Sequence, residues 1–167
     1  TESDVTQVTS IHQALAQRHR LPSDHIVDAG YMASTHLITS QETYGIDLLG
    51  PMRPDVSWQA HARQGFDLSH FTIHWETCTV TCPQGHTSWR WREGIGPNGK
   101  PHIQTQFSQV HCHPCPTRHL GTRGKQGRQV TFPPQRECLA LQAARLRQET
   151  PEFKDHYAIR AGVEGTI

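Results

Sequence analysis

An α/β fold interrupted by a small β-rich segment is what the sequence predicts. Three observations predict it. Helix-like and strand-like stretches alternate at the start of the chain. Between Ser57 and about Phe132 they give way to short alternating runs, and helical character returns after Pro133-Pro134. A helix–strand–helix–strand rhythm is that of an α/β layer with parallel strands.

Taken in order, Val5, Val8, Ile11 and Leu15 recur at helical spacing and predict a helix over roughly residues 5–18, broken by Leu21-Pro22-Ser23. Ile26-Val27 reads as a short buried strand, with Asp28-Ala29-Gly30 turning the chain out of its end. Ser34 is a candidate cap for a helix over about 35–43, Gly45 ends it, and Ile46 to Leu49 form a second strand. Pro51 and Pro54 close this rhythm. Phe71/Ile73/Trp75, Trp89/Trp91 and Ile103/Thr105/Phe107 then alternate as strands do, and Pro97-Asn98-Gly99 supplies a tight turn. Leu139, Leu141, Ala143, Ala144 and Leu146 sit among good helix formers, and Pro151 separates that helix from a last one. The expected segments are 1–56 and 134–167 for the α/β part and 57–133 for the insertion.

Net charge of +1 conceals an asymmetry. Residues 1–84 carry four Lys or Arg against nine Asp or Glu; residues 85–136 carry eight against Glu93 alone, with five His in addition. That segment is the electrostatic footprint expected for a polyanion, where otherwise it would be a solubilising loop. No apolar run approaches a membrane span, and no charged-then-apolar leader is present, so a soluble chain is expected. Five cysteines without secretory context argue for reduced thiols and a cytoplasmic setting. A chain that begins at Thr1 and stops at Ile167 is expected to be a fragment.

Cys78-x3-Cys82 and Cys112-x2-Cys115 are two close pairs of soft ligands, as a structural zinc site requires, and His86, His111, His113 and His119 lie near in sequence. An extended backbone over the first pair would turn Cys78 and Cys82 to one face. Idle or buried thiols are the alternative; Cys138, on a helix, reads as packing. Tyr157, Arg160 and Glu164 stand at offsets of zero, three and seven, and so share one helix face. Alone, that is a solvated face with an Arg–Glu pair. With Asp28 upstream, it supplies the two carboxylates that are the minimum for holding a divalent metal over a phosphate.

His25-Ile26-Val27-Asp28-Ala29-Gly30-Tyr31, Tyr44-Gly45-Ile46-Asp47-Leu48-Leu49-Gly50-Pro51 and Tyr157-x2-Arg160-x3-Glu164, with Ser57-Trp58-Gln59-Ala60 and Val80-Thr81-Cys82-Pro83-Gln84-Gly85 between, resemble bacterial insertion-sequence transposases of the DDE type. The resemblance implies an incomplete RNase H-like core interrupted by the β-rich basic insertion. Asp28 is then the second acidic residue and Glu164 the third, 136 residues apart. It implies Mg²⁺ or Mn²⁺ on Asp28 and Glu164, and phosphate contacts from Tyr157, Arg160 and the insertion's Arg118, Arg123, Lys125 and Arg128. The implied partner is double-stranded DNA, transposon ends and target, handled by a homo-oligomer. The family's first aspartate has no counterpart in residues 1–20, where Asp4 sits in or next to the first helix, so the chain is expected to be inactive alone. Gly121 stands where the family often has a third cysteine, leaving Cys78 or His119 to complete a zinc site. The rival readings are a zinc-stabilised DNA-binding module without catalysis and a decayed reading frame.

Overall fold

The structure, a computed structural model, describes residues 7–62 and 64–164, with side chains through Arg160. It is a mixed α/β fold in two compact units, 1–54 with 136–167 and 55–135. Asp4 and the expected start of the first helix lie outside the described residues.

In the first unit, helix α1 (Gln7–Gln17) leads to strand β1 (Asp24–Ile26). Helix α2 (Ser34–Tyr44) then crosses to strand β2 (Asp47–Leu49), which runs parallel to β1 with His25 opposite Leu48. The ladder continues one residue further, as Val27 N–H donates to the Leu49 carbonyl at 2.8 Å. Val8, Val27, Met32, Leu48 and Met52 form the core with Ala144 of a later helix. On α1 the buried positions are Val8 and His12, while Ile11 remains exposed. The core-facing row thus runs through a histidine that hydropathy passes over. His12 is fully buried because both ring nitrogens find partners: Nε2 to His25 Nδ1 at 2.8 Å, and Nδ1 to Ser40 Oγ at 3.3 Å. Burial pushes both imidazoles below their ordinary pKa, which keeps them neutral and able to pair as donor and acceptor.

Helix α2 begins at Ser34 itself rather than after it. The Ser34 hydroxyl makes no cap and instead donates to Glu137 Oε2 at 3.1 Å. Gly45 ends the helix in the left-handed conformation (φ 67°), where a side chain would be strained. Gly50 is required for a different reason: a Cβ there would lie 2.6 Å from the Val27 carbonyl oxygen and 2.9 Å from the Met32 side chain. The end of β2 can therefore press against the end of β1 where Asp28 emerges.

Helix α6 (Gln135–Gln148) buries Cys138 and Ala144 and packs Leu141 on the core. The stripe is offset from the leucines, so Leu139 and Leu146 stay exposed. Its C-terminal turn is clamped to β2: Arg147 donates to both carboxylate oxygens of Asp47 (2.6 and 2.5 Å) and to the Leu48 carbonyl at 2.9 Å. Solvent reaches this pair, so its contribution lies well below that of a buried one. Arg147→Ala is expected to cost about 1–2 kcal/mol, read as a lower urea midpoint at constant m. An unmoved midpoint would show that water replaces the clamp. Pro151 opens helix α7 (Pro151–Glu164) at the position where its missing N–H costs nothing, and Thr150 Oγ1 accepts from Phe153 N at 3.2 Å.

The second unit is built on β-structure. Strands β3 (Thr72–His74) and β4 (Thr79–Thr81) form an antiparallel hairpin. Strands β5 (Arg90–Ile95), β6 (Pro101–Gln106) and β7 (Gln129–Phe132) form an antiparallel sheet in that order. The β5–β6 turn is the Pro97-Asn98-Gly99 segment, with Gly99 at φ 73°. Phe71, Val80, Ile103, Phe107, Val130 and Phe132 make the core. Trp75 meets both Trp91 and Phe132 edge-on, at centroid separations of 5.9 and 5.7 Å. One-turn helices α3 (Trp58–His61), α4 (Gln109–Cys112) and α5 (Arg118–Gly121) complete the unit.

Candidate functional site

Asp28 follows directly on the last ladder bond of β1. Its backbone enters a 3₁₀ turn over Ala29–Tyr31, with Tyr31 N–H donating to the Asp28 carbonyl at 2.9 Å. Aspartate at such a position usually caps with its side chain, but here it makes no capping bond. The carboxylate is therefore directed elsewhere, and it accepts a hydrogen bond and ion pair from Arg160 Nη1 of α7. Arg160 also donates to the Tyr157 hydroxyl at 3.1 Å, one turn back on the same helix. Tyr157 is in turn stacked parallel on Phe153, at a centroid distance of 5.7 Å, and Phe153 is buried. The helical spacing thus delivers a phenol and a guanidinium together, and the strand end delivers the carboxylate.

The Arg160 hydrogen bond is the main influence on Asp28 and lowers its pKa against an opposing effect of desolvation. The same contact raises Arg160. Both shifts favour the charged forms, with Asp28 still largely exposed. Beside them lies a cleft of about 350 Å³ whose lining includes Gln7, Ile11, His25, Tyr31, Asp28 and Arg160. The backbone of α7 continues helical to Glu164, whose side chain lies outside the described residues. Sequence reasoning overlooked Arg53, whose guanidinium comes within 3.7 Å of the Cβ position at Gly30, two residues beyond Asp28.

Cys78 adopts φ 51° in the turn before β4, so the extended geometry that would align it with Cys82 is not adopted; its thiol donates to the Trp75 carbonyl at 3.6 Å. Cys82 and Cys112 pack against the core of the second unit, and the Cys115 thiol lies 3.4 Å from the Thr117 hydroxyl. Among the described residues no three metal-ligating side chains converge. His86 and His111 stack face to face at 4.5 Å.

Of the basic residues in the second unit, two are partly committed internally. Arg118 Nη2 donates to the Gly124 carbonyl at 2.5 Å, and Arg128 lies over the Phe71 ring at 5.8 Å, its pKa lowered by burial. The Nε of each is buried without a partner. Arg123 is exposed, its guanidinium 4.2 Å from the Trp58 ring centroid, and Lys125 is exposed at the loop tip. No helix among the described residues is long and apolar enough to cross a membrane.

Residues 81–167 match the protein family described as Transposase DDE domain, a span that takes in β5 to α7 and includes Tyr157, Arg160 and Glu164. No curated protein and no solved structure matches the chain.

Proposed function

The chain belongs to the transposase DDE-domain family, and from that premise we propose that it forms part of the catalytic domain for metal-dependent DNA cleavage and strand transfer. Asp28 and Glu164 are two of the site's acidic residues. Residues 57–133, within the second compact unit, are an insertion in an RNase H-like core. The observation that carries the reading is the Arg160–Asp28 contact, which joins the strand-end acid to the helix of the Tyr-Arg-Glu motif across 132 residues of sequence.

The donor chemistry fits Mg²⁺ or Mn²⁺, since hard cations take carboxylate oxygen, retain waters and share the substrate's phosphate. Divalent ions bound there would activate the attacking oxygen and stabilise the leaving one. Asp28 contributes a carboxylate that is ionised at neutral pH. Arg160 presents a planar fork suited to phosphate oxygens, and the Tyr157 hydroxyl restrains that fork. With the first aspartate of the family unmatched in the chain, we infer that the 167 residues alone bind DNA without transferring strands.

Site-directed radical chemistry tests the reading without relying on turnover. With Fe²⁺ substituted for Mg²⁺ and peroxide added, a transposase carrying this segment is expected to be cut in its polypeptide beside Asp28 and Glu164. Cuts confined to other positions would refute the assignment.

A further inference from the structure

The three-stranded sheet has one buried face and one open face, and the open one is chemically one-sided. Side chains alternate along a strand, and the burial of Ile103, Thr105, Val130 and Phe132 fixes which set points inward. The opposite set forms two cross-strand rows in the observed register: Arg90–Gln106–Gln129 and Arg92–Gln104–Thr131. Arg90, Arg92, Gln129 and Thr131 are exposed and the two inner glutamines half-buried. Glu93, the strands' single acid, pairs with buried Ile103 and so belongs to the other face.

Opposite charges set across from one another stabilise an exposed sheet face. Here both arginines face glutamine, and among the described residues neither forms an ion pair with a carboxylate. Arg90 leans over the exposed Trp89 ring at 5.3 Å instead. Two like charges on one face, about 7 Å apart along the strand, repel each other until an anion with neighbouring charges arrives. Neighbouring phosphates of a nucleic-acid strand present that pattern, and the amides and the hydroxyl beside the arginines supply further donors for phosphate and sugar oxygens.

We propose that this sheet face is a docking surface for the phosphate backbone of double-stranded DNA, separate from the loop carrying Arg123 and Lys125. The proposal deepens the DNA reading above and rests on it. Binding of a fluorescent duplex by the full 167-residue chain, followed over a range of salt concentrations, tests it. The Arg90→Gln/Arg92→Gln double variant is expected to bind roughly tenfold more weakly, with the slope of log K against log salt shallower by about 2. Arg90→Lys/Arg92→Lys is expected to restore the slope. An unchanged slope in the glutamine variant, with the parent still binding, overturns the sheet face and leaves the DNA reading standing. Failure of the parent chain to bind duplex at low salt overturns both. Tighter binding of a single strand than of the duplex overturns the choice of duplex. A second measurement needs no substitution: duplex is expected to shield Arg90 and Arg92 of the parent from phenylglyoxal, and equal modification with and without DNA overturns the proposal.

Discussion

Alanine at Asp28 or Glu164, placed in a transposition-competent protein that carries this segment, is expected to abolish metal-dependent donor cleavage. The loss should be at least about a thousandfold. Duplex affinity should stay within about threefold, because phosphate contacts from basic side chains dominate it. The separation of these two effects follows from chemistry. A carboxylate repels phosphate unless a cation lies between them, so removing it costs the cation and its catalysis rather than the grip on DNA. Asp28 is also largely exposed and makes no cap, so its truncation leaves the fold intact apart from the Arg160 contact. A zinc-stabilised DNA-binding module without catalysis predicts the opposite: indifference to both substitutions and about one zinc per chain. Cleavage retained by either variant would refute the catalytic assignment.

Periodicity made the mixed α/β character legible, since helix and strand spacings are local properties. The breaks were legible for the same reason, as Gly45 and the Pro97–Gly99 turn are dictated by backbone geometry. What lay beyond the sequence was the use made of polar residues. Spacing placed Val8 and Ile11 on one helix, yet Ile11 is exposed and the buried neighbour of Val8 is His12, because His25 and Ser40 satisfy its ring. Cys138 was legible as packing and is buried with Ala144, whereas the periodic row did not show that Leu139 and Leu146 would be exposed. A weakly amphipathic helix leaves its rotation to tertiary contacts, and here Arg147 and its clamp on Asp47 help set it.

At the site, spacing alone put Tyr157 and Arg160 on one face. Their partner came from a strand far away in sequence, and no local pattern names such a pairing. The basic segment shows the same division. Its charge excess is visible from composition, but the internal commitment of Arg118 and Arg128 depends on Gly124 and Phe71 lying beneath them. Likewise the spacing of Cys78 and Cys82 suggested alignment on a strand, and a single positive φ at Cys78 prevents it.

On the proposed reading Arg160 has two functions, and substituting it is expected to expose both. Its contact lowers the Asp28 pKa, and on that reading its guanidinium donates to a phosphate oxygen once DNA is bound. Arg160→Ala is therefore expected to lower the cleavage rate by about a hundredfold, the effect of removing one preorganised donor to developing charge. Its influence on Asp28 fixes the sign of the pH effect. The contact depresses the Asp28 pKa in the folded protein, so removing it lets that pKa rise towards the ordinary carboxylate value. The acid limb of the rate profile must then move to higher pH, and activity must fail earlier on acidification. Arg160→Lys separates the two functions, since an ammonium keeps the charge beside Asp28 but not the planar fork for phosphate. The lysine variant is expected to keep the parent's acid limb while losing much of the rate. A profile that stays fixed in the alanine variant would show that Arg160 does not govern Asp28. A lysine variant as fast as the parent would show that the fork is not used on phosphate.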